Sequence, residues 1–263
     1  MGRASGMMAP IGGRTVSPVS TVGEKGRSRS DSIFSRGEGG PTKRGMKSIT
    51  ELQRRTAPFP KPQAIFVDGG TLWLSSRQTK KFYAVDRTTL AVTWECPVPV
   101  GETAWGATKL DDDIYVVCGV DVVDVDSRVI RRVRPGVGFD PAFSLPCPDG
   151  MGSHISHDGT SLVLSQWYPQ KLISIGAYGQ PGRVLNSPHQ VVGHCYALGA
   201  FYLATTTDEE SDDYFIERLD PATGKCETQA RLGFSARGLA SDGTNFWTNH
   251  RDADQVVMFA PVG

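Results

Sequence analysis

Residues 238–259, GLASDGTNFWTNHRDADQVVMF, decide the fold of this 263-residue chain. The Asp242-Gly243 dipeptide predicts a tight turn, because glycine adopts positive φ without steric cost. Residues 246–248 are an aromatic and β-branched run of the kind that strands prefer. A polar loop follows, and residues 256–259 are a further apolar run. The stretch therefore predicts a strand, a turn, a strand, a loop and a strand.

The same pattern recurs in five copies along the chain. The copies share a turn after their first strand, at Gly69, Asp111, Gly159, Gly199 and Gly243, which lie 42, 48, 40 and 44 residues apart. A period of about 40–50 residues with four short strands is typical of a β-propeller blade. The 3.6-residue periodicity of helices is not sustained anywhere. The sequence predicts an all-β, five-bladed β-propeller.

Both ends of the repeat region predict how the ring closes. The fifth copy ends after its third strand, and residues 48–55 (SITELQRR) read as a strand without a blade; a short helix is the alternative. We predict that this strand pairs with residues 256–259, because closure removes exposed sheet edges. In blade two, residues 121–126 and 129–133 are the predicted third and fourth strands, and the proline-rich residues 135–151 are a predicted insertion.

Two domains are predicted, a basic tail at residues 1–45 and the propeller at residues 46–263. The tail is rich in Gly, Ser, Arg and Thr, and such a segment buries too little apolar surface to offset its chain entropy. We predict that it is disordered. Its positive charge is compatible with a nucleic-acid arm, but we favour a passive tail, or a true start at Met46, and expect no nucleic-acid partner.

The cysteines indicate the compartment. Five are dispersed without a C-x-x-C pair, which favours reduced thiols and a cytoplasmic location. No apolar run approaches the roughly 18 residues that span a bilayer, so no membrane partner is expected. We expect a soluble monomer.

Short motifs carry a resemblance to known propellers. G-L-A-x-D-G followed by F-W in residues 238–247, and D-P-x-T-G in residues 220–224, resemble the blades of NHL and YVTN repeat proteins. They are also similar to gluconolactonase-like and streptogramin-lyase-like propellers. The resemblance covers residues 60–263 and implies the fold. It implies no activity, because propellers host unrelated functions.

A narrower resemblance is to the five-bladed glutaminyl cyclotransferases of plants and bacteria. Residues 63–72, Q-A-I-x-x-D-G-G-T-L, resemble their Gln-Gly-Leu opening, and W-G-A at residues 105–107 resembles their Trp-Gly-Leu. The chain departs from the family in having Ala-Ile after Gln63, and their acidic residue beside a first strand is not found. The resemblance implies an acyltransferase as an alternative function.

Three histidines are the candidate catalytic residues. The first strand of each blade lines a central channel, and the loops between second and third strands open on the same face. We therefore predict that His154 and His194, at equivalent channel-entrance positions, and His250, in such a loop, project to one rim from blades three, four and five. Neutral imidazole binds divalent metals and acts as a general base, and Asp208 and Glu209 are predicted to complete a metal site with His154 and His194. No H-E-x-x-H spacing supports a metal. In the competing interpretation His154 and His194 hydrogen-bond the backbone and His250 is solvated.

Six further side chains predict a pocket for a planar or anionic ligand at the same channel mouth, namely Gln63, Arg77, Trp105, Trp167, Arg237 and Arg251. Tryptophan stacks on flat groups and arginine forks onto oxyanions. Alternatively, the tryptophans belong to the core between blades. Walker A and G-x-S-x-G motifs are absent from the sequence, so nucleotide hydrolysis and nucleophile-elbow chemistry are unsupported.

The predicted function is the binding of a small ligand at the channel mouth, with a metal-assisted lyase or hydrolase reaction as its catalytic form. The competing class is a non-catalytic platform for a protein partner. A closed pocket or a metal favours the enzyme, and an exposed apolar patch above about 600 Å² favours the platform.

Overall fold

The computed structural model describes residues 46–122, 127–208, 210 and 213–262. These residues form five four-stranded antiparallel sheets. The first strand of each sheet contacts the first strands of both neighbouring sheets, so the sheets surround one axis. The structure confirms an all-β, five-bladed propeller. The predicted disordered tail, residues 1–45, lies outside the described residues.

The strands run from the axis outward in chain order within blades one to four. The N-terminal strand, which precedes blade one, is β1, Glu51–Thr56. Blade one holds β2 to β5, Pro62–Asp68, Thr71–Ser76, Lys81–Asp86 and Val92–Pro97. Blade two holds β6 to β9, Thr103–Leu110, Asp113–Gly119, Val129–Arg134 and Gly138–Pro146. Blade three holds β10 to β13, His154–His157, Leu162–Gln166, Lys171–Ile175 and Pro181–Asn186.

The last two blades complete the ring. Blade four holds β14 to β17, Gln190–Ala197, Ala200–Thr206, Tyr214–Leu219 and Cys226–Arg231. Blade five holds β18 to β20, Ala236–Ser241, Phe246–His250 and Gln255–Phe259. Two single 3-10 turns, Pro148–Gly150 and Arg251–Ala253, are the helical elements of the described chain. Neither of these turns has the length or the apolar character to cross a membrane.

The N-terminal strand closes the ring, as the sequence predicted. β1 pairs antiparallel with β20, from Glu51 opposite Phe259 to Thr56 opposite Gln255. It is therefore the fourth and outermost strand of blade five. Ile49, just before β1, is buried in the core cluster that blades four and five share. The strand interpretation of this segment is confirmed, and its helical alternative is wrong.

Blade two corrects one boundary. Its third strand is β8 and its fourth is β9, so residues 135–151 carry a strand and are not an insertion. Asp121 belongs to the connection between β7 and β8, and residues 123–126 lie outside the described residues. The prolines misled the sequence reading, because an outermost strand tolerates them: Pro141 lies in a bulge and Pro146 at the strand end.

The turns and the channel wall explain the glycine positions. All five predicted turn residues have positive φ, from 54° at Asp111 to 96° at Gly159. Gly106 and Gly193 serve a different purpose. A Cβ at Gly106 would stand 2.5 Å from the Cα of His154, and one at Gly193 would stand closer still to the backbone of Gly238. The first strands therefore pack backbone against backbone partway along the channel.

Candidate functional site

Two cavities open at opposite ends of the first strands, one on each side of this close packing. The wider cavity measures about 450 Å³ and is formed by the starts of the first strands and the loops between second and third strands. The narrower cavity measures about 280 Å³ and is formed by the later residues of the first strands. All six predicted ligand-binding residues line the wider cavity: Gln63, Arg77, Trp105, Trp167, Arg237 and Arg251.

On one side of the wider cavity, two arginines pack against the Trp105 ring. The guanidinium carbon of Arg128 lies 3.9 Å from the centroid of the Trp105 ring, and that of Arg77 lies 5.5 Å from it. Arg77 also forks onto Asp121, with its Nε and Nη2 each 2.8 Å from a carboxylate oxygen. The hydrogen bonds from Arg77 lower the pKa of Asp121. Two guanidinium groups are thus held against one indole, a favourable cation–π arrangement.

Arg128 is a charged cavity residue that the sequence did not predict. Its guanidinium donates to the Val120 carbonyl at 3.1 Å and lines the wider cavity. Burial lowers the pKa of Arg128 to about 10. Within the described part of the chain, no carboxylate forms an ion pair with it. The Arg128 side chain is half-buried, and a cation that is partly removed from water without an ion-pair partner is costly, so this group marks a place where an anion would be stabilised.

The opposite side of the cavity carries two more arginines. Arg237 is buried, donates to the Tyr214 hydroxyl at 2.8 Å, and has its guanidinium carbon 6.0 Å from the centroid of the Trp167 ring. Arg251 donates to the side-chain oxygen of Gln63 at 2.9 Å.

The two cavity tryptophans have a double role. Both are partly buried and pack against core clusters while lining the cavity. Trp105 and Trp167 therefore belong in part to the core between blades and in part to the cavity wall.

His154 and His194 lie in the narrower cavity and not at the predicted entrance. Both are buried, at 1% and 0% exposure, with ring centroids 5.3 Å apart. They are also not equivalent in their blades. His154 pairs with Ser165, whereas the matching partner in blade four, Ala204, pairs with Gly193. His194 therefore stands one residue further along its strand, opposite Leu203.

The hydrogen bonds assign the protons of this histidine pair. His194 Nε2 lies 3.4 Å from the His154 carbonyl oxygen, which can only accept, so Nε2 carries the proton. Its Nδ1 then accepts from the Ser156 hydroxyl at 2.8 Å. His154 Nδ1 accepts from the His194 backbone N–H at 3.5 Å, which leaves the proton on its Nε2. That Nε2 is buried without a partner among the described residues. An unpaired buried donor costs about 1–3 kcal/mol.

Burial also keeps both rings neutral. It lowers the pKa of His194 to about 4 and the pKa of His154 well below its ordinary value. At neutral pH each imidazole is therefore uncharged.

The structure does not bring the third histidine to this pair. His250 lines neither cavity. Its ring stacks on Phe234 at 5.0 Å between centroids, and Arg54 lies 3.1 Å from its Nδ1. The predicted triplet of His154, His194 and His250 is thus divided between two places.

The predicted metal ligands are also dispersed. Asp208 lines neither cavity, and its carboxylate accepts from the backbone N–H of Glu210 at 3.0 Å. Glu209 lies outside the described residues. Across the described ranges, no group of three or more His, Cys, Asp and Glu side chains is placed to hold a metal ion.

Comparisons with known proteins support the fold. No family model matches the chain, and no curated protein sequence matches it. A glutaminyl cyclase from Myxococcus xanthus superposes with a TM-score of 0.63 at 12% identity, covering 82% of this chain and 100% of the cyclase. Regucalcin from Agrobacterium tumefaciens gives 0.55 at 9% identity, over 82% and 96%. A PQQ-bound aldose sugar dehydrogenase from Streptomyces coelicolor gives 0.50 at 13% identity, over 81% and 98%. At such identities the likeness concerns the fold alone.

Proposed function

We propose that the wider cavity binds a small organic anion with a flat body. The observation that carries this proposal is the half-buried side chain of Arg128, which lines the cavity without a carboxylate ion-pair partner in the described chain. Charge-assisted hydrogen bonds to carboxylate or phosphate are the strongest that a guanidinium makes. An anion in the cavity would stabilise this group, and a neutral ligand would leave it unsatisfied.

The rest of the cavity supports a flat ligand. Trp105 is held in place by the two guanidinium groups packed on it, and Trp167 lines the same cavity from the neighbouring blade. Tyr168, at 72% exposure, adds a third ring at the rim. Aromatic rings favour stacking with planar groups. The proposed ligand therefore combines a negative charge at Arg128 with a planar portion that stacks on these aromatic rings.

We propose that the wider cavity binds its ligand and does not catalyse a reaction through an imidazole. The described residues that line the wider cavity include no histidine or cysteine. Its carboxylates, Asp121 and Asp252, are both in ion pairs. We therefore favour a binding protein over the metal-assisted lyase or hydrolase. The likeness to a glutaminyl cyclase carries no activity to this chain.

Replacement of Arg128 tests the proposal. With benzoate as the probe, we expect Arg128→Met to weaken binding about 10- to 100-fold, because a charge-assisted hydrogen bond contributes about 1.5–3 kcal/mol. The matched control is Arg183→Met, at an exposed arginine on β13, which should leave the affinity unchanged. Isothermal titration calorimetry measures both.

Two further results complete this test. Cyclohexanecarboxylate should bind more weakly than benzoate, because it lacks a flat face. Arg128→Met should keep the thermal stability, since it removes a half-buried charge that has no ion-pair partner in the described chain. Equal benzoate affinity in Arg128→Met and the parent protein, or no benzoate binding by the parent, would contradict the proposal.

We also propose a reducing, cytoplasm-like compartment. All five cysteines are free thiols, and four of them are buried. Lysis in an alkylating reagent followed by mass spectrometry should find all five modified after denaturation. A disulfide in the protein from its native cells would overturn this proposal.

A further inference from the structure

The narrower cavity is separate from the proposed anion site. The two cavities share no lining residue. The first strands of all five blades contribute to the narrower cavity, through residues such as Ile65, Ala107, Ile155, Cys195 and Leu239. Its volume of about 280 Å³ equals that of roughly nine waters at about 30 Å³ each. A small organic molecule therefore fits.

His154 is one of the residues that line this cavity. Its ring also carries a buried Nε2 that has no partner in the described chain. The contact from the His194 backbone N–H to Nδ1 fixes the proton on Nε2. The unpaired group is thus an N–H that requires an acceptor oxygen. His194 cannot supply it, because both of its ring nitrogens are occupied, by Ser156 and by the His154 carbonyl.

The charges around the cavity select the kind of acceptor. The charged groups among the described lining residues are Asp68, Asp111 and Lys109. Lys109 pairs with Asp68 at 2.8 Å, so Asp111 leaves a negative excess. A carboxylate or phosphate would be repelled, whereas a neutral carbonyl oxygen would not be. This preference is opposite to that of the wider cavity.

We propose that the narrower cavity is a second ligand site, which takes a small neutral carbonyl compound whose oxygen accepts a hydrogen bond from His154 Nε2. The ligand sits at the opposite mouth from the anion and depends on different residues. Either proposal can therefore be disproved while the other stands.

Side-chain NMR with acetamide as the probe tests this site. Long-range ¹H–¹⁵N spectra of the histidines should show His154 protonated at Nε2, and acetamide should shift that signal in a saturable manner. Acetate, an acceptor of similar size but negative charge, should bind at least 10-fold more weakly. Arg128→Met, which alters the wider cavity, should leave the acetamide response unchanged.

Two variants separate the donor from the rest of the ring. His154→Asn keeps a polar group near the position of Nδ1 but lacks the Nε2 donor, and it should lose acetamide binding. His154→Gln returns an N–H near the position of Nε2 and should retain part of it. Binding to each folded variant is followed by the backbone amide signals of Ile155 and Ser156.

Three results would overturn the proposal. The first is an unchanged His154 signal at molar acetamide, which would mean that water alone occupies the donor. The second is equal binding of acetate and acetamide. The third is undiminished binding by His154→Asn. If His154→Asn does not fold, loss of all binding in His154→Gln would count against the donor role, and the acetate comparison decides independently.

Discussion

Removal of residues 1–57 is expected to abolish the cooperative unfolding transition of the propeller. The deletion takes away β1, the fourth strand of blade five, and exposes the backbone edge of β20. It also removes the buried side chain of Ile49 from the core. Arg55, which donates to the carbonyls of Thr88 and Thr89 in blade one, is lost as well. These contacts join the two ends of the ring, so the truncated chain should aggregate or remain unfolded.

A shorter deletion is the control. A chain that begins at Met46 keeps β1 and Ile49, and we expect its melting temperature to stay within a few degrees of the full chain. Circular dichroism and size-exclusion chromatography distinguish the two truncated proteins. A soluble protein lacking residues 1–57 with an unchanged melting temperature would contradict closure by β1.

The free energy of unfolding is expected to decrease by at least about 3 kcal/mol as the pH falls from 6.5 to 4. Burial lowers the pKa of His194 from 6.5 to about 4 in the folded protein. Between these values the unfolded chain binds a proton that the folded protein does not, so stability falls with falling pH. A difference of 2.5 pKa units corresponds to about 3 kcal/mol, and the lowered pKa of His154 adds to it. The contribution is fully present above pH 6.5.

A double variant isolates this effect. Urea unfolding between pH 4 and 8 should show a much smaller pH dependence for His154→Gln/His194→Gln than for the parent. Carboxylates with lowered pKa values, such as Asp121 and Asp242, also favour the folded state at higher pH, but they act mainly below pH 4 and are present in both proteins. Parallel pH profiles would show that the two imidazoles are not buried as neutral groups.

The fold was predictable because the turn residues repeat. A turn after the first strand of every blade requires positive φ, which restricts those positions to Gly or, at Asp111, a residue that tolerates it. Ring closure was also predictable, because the fifth copy ends after its third strand and residues 48–55 read as a strand without a blade. Blade two was less predictable, because the edge strand β9 contains Pro141 and Pro146, which resemble loop markers.

The candidate site was predictable only where it follows the repeat. Gln63, Trp105 and Arg237 could be predicted to line one cavity, because each stands near the start of a first strand. Arg128 was missed because the sequence analysis placed it between the third and fourth strands of blade two. It lies just before β8, which is the third strand. His154 and His194 were matched in error because Gly199 is the second turn residue after Ala197, whereas Gly159 is the first turn residue after Asp158. A repeat aligned on the turn glycines is therefore displaced by one residue in blade four.

The most direct test of the proposed anion site uses the five tryptophans as reporters. Trp105 and Trp167 line the wider cavity, whereas Trp73, Trp94 and Trp247 lie elsewhere. In a benzoate titration followed by the indole ¹H–¹⁵N signals, we expect saturable shifts of Trp105 and Trp167 alone, which disappear in Arg128→Met. Shifts confined to the other three indoles, or shifts that persist in Arg128→Met, would contradict this expectation.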